Sequence, residues 1–217
     1  MAKGSTILTL IGVGLVSIVA LCAAPNAKGA APEFHCTIAP SSKCAIRGAT
    51  NDLTFGFQGA NSKCTEYEGI KGAQFNAKVS ETSTSATLTA SIRHCSWFGG
   101  SFSWNMNSCD FMLNLVAGSN PATATVDVKC DLKEDAITFT VWGCEVAIVP
   151  QTGLTHVTFA NVGSEPTHIA AQWTLEGIKY TMKDLGCPNI GTFTDAKLTG
   201  TTTFEGFEGP KVGLHVF

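Results

Sequence analysis

The recurring pattern along the chain is alternation of apolar and polar positions, the period-2 signature of half-buried strands. It runs through Leu53–Phe57, Ala86–Ile92, Asp110–Val116, Ala122–Cys130, Ala136–Trp142, Cys144–Val149, Leu154–Asn161, Thr167–Leu175, Gly177–Met182 and Leu198–Phe204. No window carries a convincing i, i+3, i+4, i+7 apolar stripe, so helices are not expected. Turn residues separate the runs: Gly99-Gly100, Gly118-Ser119-Asn120-Pro121, Pro150-Gln151-Thr152-Gly153 and Gly163-Ser164-Glu165-Pro166. The predicted fold is all-β, a disulfide-braced antiparallel β-sandwich-like domain.

One hairpin follows from register alone. With the turn over 117–122, Val116 faces Thr123, Leu115 faces Ala124, Leu113 faces Val126 and Phe111 faces Val128. Cys109 then faces Cys130 on the same side of the sheet, because side chains alternate with period 2. Opposed Cβ atoms lie about 4.5–5.5 Å apart, closest at a non-hydrogen-bonded pair, and a disulfide needs about 3.5–4.5 Å. A Cys109–Cys130 bridge is predicted. The next strand is expected beside it, with Cys130, Val128 and Val126 facing Ile137, Phe139 and Val141. The apolar phase then flips from odd to even positions at Trp142-Gly143, which reads as a β-bulge at glycine. Residues 109–149 thus read as a bent meander.

The N-terminus reads as an export signal. Lys3 precedes an uncharged apolar run, Ile7–Leu21, and a small-residue stretch from Ala23 to Ala30. Such a run is short for a membrane span of about 20 residues. Cleavage after Ala27 or Gly29 suits the small-residue rule, so the chain divides into a signal peptide, 1–29, and one all-β domain, 30–217. Within it, 30–61 alternates weakly and reads as a looser N-terminal lobe. Stable membrane insertion is not expected after cleavage. Cys22 raises the alternative of a lipid-anchored envelope protein, although Leu21 stands where a small residue is wanted.

Composition now takes on meaning. The chain has 217 residues and nine cysteines. Removing 1–29 takes Cys22 and leaves an even set: Cys36, Cys44, Cys64, Cys95, Cys109, Cys130, Cys144 and Cys187. That suits an oxidising compartment. Eight cysteines allow on the order of a hundred pairings; the simplest sequential set adds Cys36–Cys44, Cys64–Cys95 and Cys144–Cys187 to the placed bridge. Cys-x-x-Cys is absent, so no metal site is expected. Without Lys3 and Lys28 the net charge goes from −3 to −5. An acidic chain without basic runs is not expected to bind nucleic acid. The 26 Thr and 15 Ser fit half-buried strand faces.

Candidate chemistry is sparse. There is no nucleophile elbow, zinc-protease motif, phosphate loop or dinucleotide fingerprint, and no cofactor or catalytic residue is expected. His35, His94, His156, His168 and His215 are scattered, and read as surface residues. Asp110 and Glu145 follow cysteines and so point outward. Asp131, Glu134 and Asp135 read as a polar hairpin loop rather than a calcium site. Val149-Pro150-Gln151-Thr152-Gly153 resembles a sortase signal but lies far from the C-terminus, and reads as a turn. Phe217 lacks the in-step apolar residues of an outer-membrane strand. The candidate binding residues are Trp97, Phe98, Phe102 and Trp104, aromatics on a glycine-flexed hairpin that could stack on sugars or fill a partner's pocket. Their competing reading is core packing beside Cys95.

Several stretches resemble a group of uncharacterised secreted proteins of actinobacteria. They are His94-Cys95-Ser96-Trp97-Phe98-Gly99-Gly100, Asn105-Met106-Asn107-Ser108-Cys109-Asp110-Phe111, Val126-Asp127-Val128-Lys129-Cys130 and Trp142-Gly143-Cys144-Glu145-Val146. Further on they are Val157–Gly163, Leu175–Tyr180, Leu198–Phe207 and Val212–Val216. The resemblance covers residues 64–217 and implies export and structural cysteines, with no activity to carry over. The expectation is a secreted, non-enzymatic protein with a surface, matrix or ligand-binding role, its partner a glycan or another envelope component. The alternative is a secreted hydrolase whose site is assembled from distant loops.

Overall fold

The computed structural model describes residues 32–36, 44–79, 82–162, 168–206 and 214–216. The expected signal peptide and Cys22 lie outside the described residues, as does Phe217. The strands are β1 (Phe34–Cys36), β2 (Cys44–Thr50), β3 (Thr54–Phe57), β4 (Ala60–Cys64), β5 (Ala73–Val79), β6 (Thr82–Ser83), β7 (Ser85–Ile92), β8 (Cys95–Trp97) and β9 (Gly100–Phe102). They continue with β10 (Cys109–Leu115), β11 (Thr123–Cys130), β12 (Ile137–Val141), β13 (Cys144–Ile148), β14 (Gln151–Val162), β15 (His168–Lys183), β16 (Gly191–Gly206) and β17 (Leu214–Val216). The chain is all-β, with no helix among the described residues.

Eight strands close into an antiparallel barrel in the order β15, β14, β11, β10, β7, β5, β2, β16, with β16 returning to β15. This corrects the sandwich-like expectation. Alternation tells which face of a strand is buried, but not whether the last strand meets the first. Closure here comes from β15 and β16, which pair from His168↔Glu205 to Met182↔Gly191. The sequence splits β15 in two at Gly177, which has a φ of 70° and sits at a register shift between Leu175 and Ile178. A bulge explains the break in alternation without ending the strand.

The same long hairpin serves a second core. Beyond the bulge, β13 and β12 continue the sheet from β15, while β3, β4, β8 and β9 continue it from β16. Asn105 and Thr138 then exchange backbone hydrogen bonds of 2.7 and 2.9 Å, joining the two flanks. Residues 44–61, expected to be looser, are hydrogen-bonded into the sheet as β2, β3 and the start of β4. Residues 151–153, read as part of a turn, begin β14. Their backbone is held by Gly153 N–H donating to Asp127 Oδ1 at 2.9 Å.

Register is as predicted in the first hairpin: Cys109↔Cys130, Phe111↔Val128, Leu113↔Val126 and Leu115↔Ala124. The next expectation is corrected, because β11 pairs with β14, and β12 pairs with β13 instead of β11. Val141 faces Cys144, and Trp142-Gly143 is the hairpin turn between them rather than a bulge. A two-residue turn and a one-residue bulge flip the parity identically, so the pattern could not separate them.

Barrel side chains alternate apolar inward and Thr, Asn, Gln or Lys outward, as in β5, where Phe75 and Ala77 are buried and Asn76 and Lys78 exposed. That is the reverse of a membrane-spanning barrel. Inside, Trp173 stacks on Phe75 with centroids 5.3 Å apart, and its indole N–H donates to Thr202 Oγ1 at 3.0 Å. The second core is denser in aromatics: Phe57 on Trp97 at 4.8 Å, Phe102 on Phe139 at 4.5 Å and Phe55 edge-on to Trp104 at 5.2 Å. Each such ring, fully buried, contributes about 1.5–3 kcal/mol of transfer free energy. The small sheet β17-β1-β6 sits outside the barrel sheet, and Phe34 from β1 packs edge-on to Phe159 at 5.4 Å. An apolar cavity of about 10 Å³ remains there among Phe34, Ile46, Leu88 and Leu113, room for about one water molecule.

Three disulfides join described cysteines: Cys64–Cys95, Cys109–Cys130 and Cys144–Cys187. The first two join directly paired strand residues, and the third ties the start of β13 to the connection between β15 and β16. Cys44 is also disulfide-bonded, and the expected Cys36–Cys44 bridge lies outside the described side chains.

Candidate functional site

Three hairpin turns of the second core share one conformation. Gln58-Gly59, Phe98-Gly99 and Trp142-Gly143 each have positive φ at both positions, between 46° and 80°. Two-residue turns of this kind match strand twist and favour Asn-Gly or Asp-Gly, since a bulky L-residue is unfavourable at positive φ. Here the first position holds glutamine, phenylalanine and tryptophan.

These turns meet at one end of the molecule. β4 pairs with β8 through Cys64↔Cys95 and Lys63↔Ser96, which sets the tips 58–59 and 98–99 side by side. The Trp142 indole lies against Gly100, where an added Cβ would come within 2.6 Å of Nε1. Its N–H points to the Trp97 carbonyl at 3.4 Å. The connection from β15 to β16 completes the ring. Gly186 packs on the backbone of Gly143, leaving no room for a Cβ, which would lie 2.5 Å from the Gly143 carbonyl. Cys187 is bridged to Cys144, and Asn189 Nδ2 donates to Gln58 Oε1 at 2.8 Å. Four turns thus form a crown over the aromatic core.

Beneath the crown a polar relay fixes the first turn. Gln58 N–H donates to Asp195 Oδ2 at 3.2 Å, and Gln58 Nε2 donates to the Tyr180 hydroxyl at 3.1 Å. Tyr180 in turn donates to Asp195 Oδ1 at 2.8 Å. Burial of the phenol, together with the Asp195 carboxylate that accepts from it, pushes its pKa up to about 12. An open groove of about 170 Å³ runs past Gly56, Gly59, Asn61, Asp195 and Lys197 beside this relay.

The crown is apolar. Leu185 is 97% exposed, Phe98 76%, Trp142 65% and Ile190 64%, the four most exposed large apolar side chains among the described residues. All four stand on its turns. The tips 58–59, 98–100, 142–143 and 184–190 hold one charged residue, the exposed Asp184 that opens the β15–β16 connection.

Of the candidate binding aromatics, only Phe98 is presented. Trp97, Phe102 and Trp104 are buried, as the core-packing reading expects, and are removed from the candidate binding set. Alternation places 97 inward, and the turn at 98 reverses the chain. The residues missed are Trp142, Leu185 and Ile190. Alternation puts Trp142 at a strand end, and 184–190, with Gly186 and Pro188, carries no alternation. A Trp-Gly pair at a phase flip was the available signal.

Other candidates stay apart. His94 packs against Tyr67 with ring centroids 5.0 Å apart, and His168 lies 3.5 Å from Glu205. Ser108 donates to Asp135, while Asp131 and Glu134 are exposed. Asp110 lies on β10 of the barrel and Glu145 on β13, opposite Lys183. Among the described residues, no three His, Cys, Asp or Glu side chains converge as metal ligands would. No family model, curated protein or solved structure matches the chain.

Proposed function

We propose that the chain is exported and acts outside the cytoplasm as a non-enzymatic binding module whose working surface is the crown. Convergence carries this reading. The four most exposed large apolar side chains belong to turns brought together from distant parts of the chain. Contiguous apolar exposure rimmed by polar surface marks interaction sites. Two of the four, Phe98 and Trp142, also sit at positive φ. Backbone strain and solvent-exposed apolar surface both oppose folding stability, and association offsets the second: each such side chain gains about 1.5–3 kcal/mol on full burial. The eight cysteines expected in the exported chain, with their bridges, support the extracytoplasmic setting. The family resemblance agrees with it, and envelope components are the partner class to test.

The test compares the oxidised protein with a Leu185→Ser/Ile190→Ser variant against immobilised envelope polysaccharides and lipid vesicles. Wild type should be retained by one of these, and the variant should lose at least about tenfold in affinity. Equal retention of the two proteins would refute the reading.

A further inference from the structure

Resting on the crown as the binding surface, we propose that its partner is a zwitterionic lipid surface, into which Phe98, Trp142, Leu185 and Ile190 insert. Three observations favour lipid over a glycan. First, Leu185 and Ile190 are aliphatic and stand 97% and 64% exposed. An aliphatic tip offers a sugar neither a stacking plane nor a hydrogen bond, but it gains fully on transfer into acyl chains. Second, sugar recognition needs polar side chains around the aromatic plane, and the two amide side chains in the crown turns, Gln58 and Asn189, bond to each other and to the relay beneath. Gln58 accepts from Asn189 and donates to Tyr180, whose hydroxyl donates to Asp195. Third, the one charge in the four turns is acidic, the exposed Asp184. Basic residues are the element that selects anionic lipid, and they are missing from the tips, so the match is to neutral headgroups.

The geometry sets the depth. The side chains project from turn tips, while the strand faces behind them are polar, so insertion is confined to the crown. Tryptophan suits the headgroup boundary, and the Trp142 N–H enters it already directed at the Trp97 carbonyl. The association is peripheral and reversible, with no strand crossing the bilayer.

Tryptophan fluorescence reads this directly. The chain has four tryptophans, none in residues 1–29, and Trp97, Trp104 and Trp173 are buried. Oxidised full-length protein is titrated with phosphatidylcholine vesicles whose acyl chains carry bromine as a contact quencher. Trp142 emission should shift to the blue and be quenched, whatever affinity residues 1–29 have for the vesicle. Leu185→Ser and Ile190→Ser should each raise the lipid concentration needed by about tenfold. Leu185 makes almost no intramolecular contact, so its variant should fold as wild type does. Added salt or anionic lipid should change neither. Absence of Trp142 quenching at saturating lipid would overturn the lipid assignment. If the serine variants then lose a polysaccharide that wild type retains, the partner is a glycan and the crown remains the binding surface. If they lose nothing in either assay, both readings fall.

Discussion

Trp142 rests against Gly100 across two hairpins, close enough that a single added methyl group would meet its indole at 2.6 Å. The contacts at Gly100 are to side chains, Trp142 and Val141, whereas those at Gly186 are to the backbone of Trp142 and Gly143. Side chains can swing aside; a disulfide-tied turn cannot. Gly100→Ala should therefore fold and release Trp142, raising its quenching by acrylamide. Gly186→Ala should cost more, about 1–3 kcal/mol as overpacking typically does. Equal denaturation midpoints for the two variants would contradict this placement of the turns.

Within the barrel, Trp173 and Thr202 are both fully buried and form one hydrogen bond. Thr202→Val leaves the indole N–H without that acceptor and should cost about 1–3 kcal/mol. Adding Trp173→Phe to Thr202→Val removes the orphaned donor. The loss of the double variant should therefore fall short of the sum of the singles. Additive losses in denaturant unfolding would mean that the bond is not made.

Tyr180 gives the fold an alkaline limit. Its folded-state pKa of about 12 lies above the ordinary value of 10. The unfolded chain then loses this proton first as pH rises, so the contribution to stability is complete below pH 10 and is lost between 10 and 12. Tyr180→Phe should unfold more readily at neutral pH, by about 1 kcal/mol for the lost hydrogen bonds. It should also show a shallower decline across that alkaline window. Parallel stability profiles for the two proteins would contradict the assignment.

The disulfides should separate by role. Cys109–Cys130 closes a separation of 21 residues and Cys144–Cys187 one of 43. Loop entropy predicts losses of about 3 and about 4 kcal/mol on replacing each pair with alanine. Only the second pair holds the crown together. Removing it should weaken binding and increase Trp142 exposure to quencher, while removing the first should lower stability alone.

How much of this was readable follows from what each feature depends on. The Cys109–Cys130 bridge needs only side-chain parity and a turn length, both local, and strong alternation over Phe111–Leu115 and Thr123–Val128 supplied them. β2 and β5 passed unseen because Ala45, Ala49, Ala73 and Ala77 give little contrast between faces. Closure was invisible because it depends on β16 meeting β2 and β15 at once, a long-range fact that no single strand carries. Phe98 was identified from its glycine-flanked setting, but Trp97, Phe102 and Trp104 beside it point into the core. The crown was not legible as a site: Phe98, Trp142 and Leu185 are far apart in sequence, and only the pairing of β4 with β8 and the packing of Gly100 and Gly186 bring them together.

The most direct measurement joins stability to binding in one variant. Phe98→Asn/Trp142→Asn converts two turns to Asn-Gly, the pair this turn geometry prefers, and removes two of the four apolar side chains. The variant and wild type are compared by thermal melting and by retention on phosphatidylcholine vesicles and envelope polysaccharides. A crown kept for binding at the expense of stability predicts a melting temperature at or above that of wild type, with retention lost. A variant that melts below wild type yet binds as well would contradict it.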